Sequence, residues 1–133
     1  IFVSTAAISD WRVKKINKDK IKKNNLDELK INFVKNYDIL KTVSNHKSRP
    51  KLVIGFSAET KNLIQNSKKK LLQKKCDWLF ANKVSNNEGF QKEFNKVYFM
   101  GQNFLDEWPK MKKEKIAKKL VKKIVSFVKN NKL

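Results

Sequence analysis

The chain has 133 residues, of which 32 are Lys or Arg and 12 are Asp or Glu, so its formal net charge is +20. The length suits one domain with a modest core, and an apolar content of 40%, with nine Phe and three Trp, favours a folded chain over a disordered one. The single Cys76 excludes an internal disulfide framework and a multi-cysteine metal site. No apolar run approaches the roughly 20 residues that a membrane-spanning helix needs.

The first predicted element is a buried strand over residues 1–8, where Ile, Phe and Val precede small residues. The polar segment 9–25 has no clean period and is predicted to be a loop. The segment 29–36 then alternates apolar with polar residues, which predicts a half-buried strand with one inward-facing set, Leu29, Ile31 and Phe33.

A short helix is predicted over residues 37–47, and the Arg49-Pro50 pair ends it. Residues 51–57 form an uncharged, β-branched run that predicts a strand buried on both faces if its neighbours are parallel. The following segment, up to Cys76, is predicted to be an amphipathic helix whose apolar face carries Leu63, Ile64, Ser67, Leu71 and Leu72.

The last third of the chain predicts another short strand over 77–85 and a hairpin over 95–109, with Gly101-Gln102-Asn103 near its turn. Cys76 directly precedes the strand and is predicted to be a packed thiol. From Lys112 onward the spacing predicts an amphipathic closing helix with one apolar stripe, which consists of Ile116, Leu120, Ile124 and Phe127.

Strands that alternate with helices predict an α/β domain with a largely parallel sheet, a C-terminal β-hairpin and a closing helix. In such sheets, ligands bind beyond the carboxyl ends of the strands. Four segments follow predicted strands and combine small residues with Asp, Asn or Thr, namely 6–10, 35–38, 55–60 and 81–83. We expect them to line one edge, where small residues let a ligand approach the backbone.

Six segments follow one another in an order and spacing that resemble phosphopantothenoylcysteine synthetase, a coenzyme A biosynthetic ligase that in bacteria commonly follows a flavin-dependent decarboxylase. They are "AAISDW" (6–11), "KIKK" (20–23), "FVKNYDIL" (33–40), "RPKLVIGFSAET" (49–60), "LFANKVS" (79–85) and "GFQKEFNKV" (89–97). No single segment is decisive, but together they cover nearly the whole chain.

The resemblance implies a Rossmann-like three-layer fold and a cytoplasmic homodimer that uses CTP and Mg²⁺. It implies activation of 4′-phosphopantothenate as an acyl-cytidylate, with release of pyrophosphate, and condensation with L-cysteine to 4′-phosphopantothenoylcysteine. FMN would belong only to a fused upstream decarboxylase, where one is present. No residue is identified as a metal ligand.

The resemblance also implies a set of nucleotide-binding residues. Lys20 matches the first Lys of a Lys-x-Lys-Lys loop over the triphosphate and is the expected catalytic residue. Phe56 matches the aromatic of Gly-Phe-x-Ala-Glu-Thr near the base and ribose. Lys70 and Lys74 match two lysines that reach the nucleotide from one helix face. The remaining expected contacts are Ala6, Ala7, Asp10, Tyr37, Asp38, Ile39, Leu40 and Asn82.

Each of these candidates also has an ordinary explanation from the residues alone. Lys20 lies in a run of charge that is typical of a solvated surface, and Phe56 on an apolar strand is typical of a core. Asp10 is suited to capping a turn. Lys70 and Lys74 stand among further lysines, so composition alone accounts for them.

Two departures from the family pattern limit the expectation. Lys83 replaces the Asp of the family's Ala-Asn-Asp, which leaves open a degenerate homologue that keeps the fold but not the activity. The family's glycine-rich phosphate loop and an Asn-containing segment lie upstream of the position of Ala6. We therefore expect residues 1–133 to be the C-terminal portion of the ligase domain, a fragment that is inactive alone.

The charge supports a rival hypothesis, a basic module that binds RNA or an anionic membrane. The closing helix joins an apolar stripe to dense lysines, as interfacial helices do. However, all basic residues except Arg12 and Arg49 are Lys, and they occur on every loop and helix beside 15 Asn. Proteins that read bases favour Arg. We therefore expect a compositional origin for the charge and neither nucleic acid nor membrane as a partner.

Overall fold

The computed structural model describes residues 1–22, 28–84 and 93–132. Lys23 of the lysine loop, Ser85 and residues 89–92 of the last matched segment lie outside these ranges. The described chain divides into two compact units. The sheet unit comprises residues 1–5 and 40–133, and the ribbon unit comprises residues 6–39.

The elements, in chain order, are β1 (Phe2–Val3), β2 (Trp11–Val13), β3 (Phe33–Lys35), α1 (Ile39–Asn45), β4 (Val53–Glu59), α2 (Leu63–Lys74), β5 (Trp78–Lys83), β6 (Phe94–Gly101), β7 (Phe104–Lys112) and α3 (Lys113–Asn130). The strand over 51–57, both longer helices and the hairpin were predicted. The hairpin turn consists of Gln102 and Asn103, because Gly101 pairs with Phe104.

Five strands form the main sheet in the order β1-β4-β5-β6-β7. Strands β1 and β5 run parallel to β4, whereas β6 and β7 are antiparallel to their neighbours. The carboxyl ends of β1, β4 and β5 therefore meet at one edge of the sheet, which we call the carboxyl edge. The hairpin turn lies at the opposite edge, since β6 runs antiparallel to β5.

Helices cover both faces of this sheet, which confirms the three-layer α/β architecture. On one face, α3 packs its predicted stripe against a cluster that includes Ile54, Phe80 and Trp108. On the other face, α1 and α2 pack against a cluster that includes Val53 and Leu79. Strand β4 is central, and Val53, Ile54 and Gly55 are buried because both of its neighbours are parallel strands under helices.

The ribbon unit differs from the sequence prediction. Residues 11–13, predicted to be part of a loop, form β2, and it pairs antiparallel with β3 in a separate two-stranded sheet. The strand predicted over 29–36 is shortened to β3 and does not join the main sheet, so residues 35–38 do not follow a strand of that sheet. Its alternating residues Leu29, Ile31 and Phe33 are exposed. Alternation specifies a strand, but it does not specify which layer covers the apolar set.

One position on α2 was also wrongly predicted. Leu71 is buried, but Leu72 is 64% exposed. Leu72 lies nine residues after Leu63, and at 100° per residue this places it on the opposite side of the helix. Ser67, which was also predicted on the apolar face, is fully shielded.

Candidate functional site at the carboxyl edge of the sheet

Strand β4 delivers different side chains to the two faces of the sheet. Because side chains alternate along a strand, Gly55, Ser57 and Glu59 share the face of Val53, which lies under α2. Phe56 and Ala58 share the face of Ile54, which lies under α3. The carboxyl edge therefore receives a polar end from one face and an aromatic end from the other.

The polar end is a cluster around the carboxylate of Glu59. Ser57 Oγ donates a hydrogen bond to Glu59 Oε1 over 2.7 Å, and Asn66 Nδ2 donates to Oε2 over 3.2 Å. Lys70 Nζ lies 2.6 Å from Oε1. The donors on α2 are four residues apart and so lie on one face of the helix.

These contacts set the charge state of Glu59, whose side chain is only 12% exposed. Burial by itself raises the pKa of the carboxyl group. The hydrogen bonds from Lys70 and Ser57, the charge of Lys70 and the hydrogen bond from Asn66 outweigh it, so the pKa lies below its usual 4.5. Glu59 is therefore ionised at neutral pH and paired with a Lys70 side chain that is itself 44% exposed.

The aromatic end is Phe56, which closes a row of stacked rings. Its ring lies 5.6 Å from that of Phe80 on β5, and Phe80 in turn stacks on Phe99 of β6 with centroids 4.6 Å apart. Phe80 and Phe99 are buried, whereas Phe56 is 43% exposed. An exposed ring that is held from behind by stacking is suited to receive a further planar ring, such as a nucleobase.

Strand β5 adds two candidates in register with β4. Asn82 pairs with Ala58 and so shares the face of Phe56, while Lys83 pairs with Glu59 and shares the face of the polar cluster. The Asn82 amide is half-buried and donates a 3.4 Å hydrogen bond to the carbonyl of Lys83. Lys83 is exposed. Because of this register, Lys83, which departs from the family pattern, lies beside Glu59 rather than beside Phe56.

The structure brings five of the predicted residues to this part of the sheet unit. Phe56 and Asn82 share one face, Lys70 holds Glu59 on the other, and Lys74 follows Lys70 by one helical turn. Leu40 packs against Gly55 and does not face a ligand site. A Cβ added at Gly55 would come within 2.6 Å of Leu40 Cδ2 and 3.0 Å of Leu79 Cδ1. The space that we expected to admit a ligand at Gly55 is thus filled by protein side chains.

A second group of predicted residues lies in the ribbon unit. Asn36 N donates to the carbonyl of Asp10 over 2.9 Å, and Asn36 Nδ2 donates to the carbonyl of Ser9 over 2.8 Å. These bonds hold the Asp10 segment against the segment that carries Tyr37 and Asp38. The other predicted residues of this unit are exposed, namely Ala6, Ala7, Lys20 and Ile39.

Glu59 lies in the segment 55–60 that we expected to line the edge, but it was not among the predicted ligand contacts. The signal for it lay in two spacings: Ser57 and Glu59 are two apart on a strand, and Asn66 and Lys70 are four apart on the next helix. Both pairs therefore lie on single faces, but only the packing of α2 on β4 shows that these faces meet.

Among residues 1–22, 28–84 and 93–132, no three or more His, Cys, Asp or Glu side chains are grouped so that they could hold a metal ion. Mg²⁺ with a nucleotide usually takes most of its ligands from phosphates and water and only one or two carboxylates from the protein. Asp10, exposed and fixed through its backbone, fits that limited demand.

Within the described ranges, no helix is both long enough and apolar enough to cross a membrane. In α3, the longest described helix, lysines recur throughout, and the apolar stripe packs on the sheet.

The chain is similar to known proteins over most of its length. It is 40% identical over 123 residues to the coenzyme A biosynthesis bifunctional protein CoaBC of Borreliella burgdorferi, a match that covers 92% of this chain and 31% of the relative. It is 35% identical over 129 residues to the CoaBC protein of Escherichia coli strain K12, covering 95% of this chain and 32% of the relative. The chain thus spans about a third of the length of these relatives.

Solved structures give the same relationship at the level of the fold. The C-terminal domain of a coenzyme A biosynthesis bifunctional protein CoaBC matches 96% of this chain and 54% of its own, with a TM-score of 0.69 and 26% identity. A DNA/pantothenate metabolism flavoprotein from Streptococcus pneumoniae matches 73% of this chain and 42% of its own, with a TM-score of 0.57 and 22% identity, and is similar in fold.

The family comparison covers almost the entire sequence. Residues 1–128 match the model of the DNA/pantothenate metabolism flavoprotein C-terminal domain. This range includes every residue singled out above, in both units. The chain therefore belongs to the family of DNA/pantothenate metabolism flavoprotein C-terminal domains.

Proposed function

We propose that the chain is part of a coenzyme A biosynthetic ligase that couples 4′-phosphopantothenate to L-cysteine at the expense of CTP. The similarity to bifunctional coenzyme A biosynthesis proteins over more than nine tenths of the chain carries this proposal. In the proposed reaction, the carboxylate of 4′-phosphopantothenate attacks the α-phosphorus of CTP and displaces pyrophosphate. The amine of cysteine then attacks the acyl carbon and releases CMP.

In this proposal, the residues of the chain bind and orient the nucleotide. The exposed ring of Phe56 stacks on cytosine, and the Asn82 amide on the same face provides polar contacts. Lys70 and Lys74 offset the negative charge of the polyphosphate, including the charge that develops at the α-phosphorus during the reaction. Such chemistry depends on positioning and electrostatics and needs no nucleophile from the protein.

The ribbon-unit residues have separate roles in the proposal. Lys20 contributes a further cation for the triphosphate and is the proposed catalytic residue. The segments around Ala6, Ala7 and Asp10 and around Tyr37, Asp38 and Ile39 contact the nucleotide. Mg²⁺, when bound, would be held by the phosphates and Asp10 and would neutralise phosphate charge. A cytoplasmic homodimer, with the glycine-rich half supplied upstream of this chain, completes the proposal.

Two matched aromatic substitutions test the nucleotide site. Phe56 is 43% exposed at the carboxyl edge, whereas Phe104 is 41% exposed at the opposite edge, beside the hairpin turn. We expect Phe56→Ala to weaken binding of Mg–CTP about fivefold or more, since stacking on one base contributes ~1–3 kcal/mol. Phe104→Ala should leave it unchanged. Isothermal titration calorimetry with the natural polypeptide that carries the chain measures both.

The chemical step has its own test. Pyrophosphate release by the natural polypeptide should require 4′-phosphopantothenate and CTP together, and CMP should appear only when cysteine is added. Release of pyrophosphate from CTP without 4′-phosphopantothenate would contradict the ligase proposal. Equal loss of Mg–CTP affinity in both Phe variants would contradict the proposed place of the base.

The rival function, a basic module for RNA or anionic membranes, has one observation against it. The apolar stripe of α3, which an interfacial helix would insert into lipid, is packed on the sheet through Ile116, Leu120, Ile124 and Phe127. The exposed apolar side chains of this helix, Val121 and Val125, lie among lysines. This observation is against the membrane form of the rival function.

A further inference from the structure

Glu59 and Lys70 form an ion pair whose two partners are anchored differently. The carboxylate of Glu59 ends β4 and is held by two neutral donors, Ser57 from its own strand and Asn66 from α2. Asn66 is itself fixed, because its Nδ2 also donates to the carbonyl of Lys61 over 3.0 Å. Glu59 is therefore a fixed anion whether or not Lys70 is paired with it.

For Lys70, in contrast, the contact found within the described ranges is the one between its ammonium group and Glu59. A lysine side chain loses roughly 2 kcal/mol of rotamer entropy when its ammonium group is confined. The 2.6 Å contact with Glu59 imposes that confinement before any ligand arrives. An ammonium group has three N–H donors, and Glu59 takes one, so the half-exposed Lys70 keeps donors for an anion from outside.

The ion pair lies where strand β4 ends. Glu59 is the last residue of β4, so the ammonium group is fixed at the carboxyl edge, where α/β sheets bind ligands. An ion pair that only neutralised the charge of Lys70 would need no further hydrogen bonds to the Glu59 carboxylate. Here the anion is shielded from water and tied to both β4 and α2, which is the arrangement expected when the position of the cation matters.

We propose that Glu59 is a positioning residue for the nucleotide: it holds the Lys70 ammonium group at the carboxyl edge, ready to meet the polyphosphate. The inference rests on the proposed function, since it takes Lys70 to be a ligand of the nucleotide. It adds that the affinity contributed by Lys70 depends on Glu59, although the negative charge of Glu59 by itself repels the anionic nucleotide.

This opposition of sign makes the test sharp. If Glu59 acted only through its charge, Glu59→Gln would strengthen binding of Mg–CTP, and Glu59→Asp would leave it unchanged. Positioning predicts that both variants weaken it, by about fivefold to tenfold, which corresponds to ~1–1.4 kcal/mol. Glu59→Asp keeps the charge but shortens the side chain, so it withdraws the anchor from Lys70.

A double-mutant cycle assigns the effect to Lys70. In a Lys70→Met background, Glu59→Gln should cause no further loss of Mg–CTP affinity, since there is no cation left to position. Lys69→Met serves as the matched control, because Lys69 is an exposed lysine next along the same helix. It should keep Mg–CTP affinity within about twofold of the unchanged protein, which is close to the spread of a surface substitution.

The measurement is calorimetric titration of Mg–CTP into the natural polypeptide and its variants at one salt concentration, with thermal unfolding to confirm folding. If Glu59→Gln fails to fold, Glu59→Asp decides the question. Tighter Mg–CTP binding by Glu59→Gln, or unchanged affinity in both Glu59 variants, would overturn the inference. So would a loss of affinity on Glu59→Gln in the Lys70→Met background that equals its loss in the unchanged protein. If the unchanged protein bound no Mg–CTP, the proposed function would fail and this inference with it.

Discussion

Cys76 stands between α2 and β5, where its thiol is 2% exposed and packs with Val53, Leu71 and Leu79. Burial, with a smaller effect of the charge of Asp77, raises the pKa of this thiol from 9.0 to about 11. The packed thiol predicted from the sequence is thus confirmed, and its surroundings favour the protonated form.

The raised pKa of Cys76 predicts a pH dependence of stability. The folded pKa lies above the unfolded one, so the contribution of the thiol to stability is complete below about pH 9. It is lost as the pH rises from about 9 to about 11, by an amount on the order of 2 kcal/mol. Urea unfolding from pH 7 to 10.5, compared with Cys76→Ala, measures it.

The comparison with Cys76→Ala separates this effect from the titration of the many lysines, which both proteins share. The alanine variant should be less stable at neutral pH because of the cavity, and its deficit should narrow above pH 9. A deficit that stays constant up to pH 10.5 would show that the thiol does not resist ionisation in the folded protein.

At the residue scale, single positions were predictable where periodicity decides and not where contacts across elements decide. The stripe of α3 followed from spacing, and all four members pack on the core. Leu72 was assigned to the wrong side of α2 because adjacent leucines were treated as one face. Glu59 was missed because its partners come from a strand and a helix whose contact no local pattern encodes.

At the element scale, Gly55 explains how α1 reaches β4. The missing side chain leaves room for Leu40 of α1 and Leu79 of β5, which would both lie within 3.0 Å of an added Cβ. Because side chains rather than a ligand fill this space, Gly55 serves the packing of the α1 layer on the sheet.

Two glycine substitutions test this role. Gly55→Ala places a methyl group between buried side chains, so we expect a loss of about 1–3 kcal/mol in unfolding free energy. In Gly101→Ala, the three atoms nearest to the new Cβ all belong to the ring of Phe104, a side chain that is 41% exposed. We expect its cost to stay below about 1 kcal/mol. Urea denaturation of the two variants compares them.

The order of the two costs is the decisive result. If Gly101→Ala were the more destabilising variant, the hairpin turn, and not the contact of α1 with β4, would be the tighter constraint. If Gly55→Ala cost nothing, α1 would have to be able to shift away from β4 without loss, contrary to the packing of Leu40 into the core.

Elements with a clear local pattern were predictable from the sequence, including the short helix α1 and the short strand β5, whereas β2 was not. β4, α2, both strands of the hairpin and α3 each extend over seven or more residues. β2 has three residues, which is too few for a pattern to form, and β3 keeps only three residues of the strand predicted over 29–36. Their pairing depends on contacts 20 or more residues apart, such as Trp11 with Lys35.

At the scale of the whole molecule, the net charge of +20 does not single out one face as a binding surface. Lysines occur in the ribbon unit, on α2 and along α3, and several are paired with acids, such as Lys118 with Glu114. The lysines of interest are defined by position: Lys70 is set apart from Lys68 and Lys69 by its contact with Glu59. Composition alone could not make that distinction.

This distribution predicts two kinds of anion binding that salt separates. A homopolymeric RNA such as poly(U) should bind weakly through many diffuse lysine contacts, so its affinity should fall at least a hundredfold between about 50 and 200 mM salt. Mg–CTP engages fewer charges and a stacked ring, so its affinity should fall much less.

Replacing the exposed Lys115 and Lys122 of α3 by Gln should weaken poly(U) binding and leave Mg–CTP binding unchanged. Phe56→Ala should weaken Mg–CTP binding and leave poly(U) binding unchanged. Fluorescence anisotropy with labelled poly(U), beside calorimetry with Mg–CTP, follows both. Polymer binding that persists at 200 mM salt and is not displaced by CTP would favour the nucleic-acid module over the ligase, because only a dedicated surface retains affinity once diffuse charges are screened.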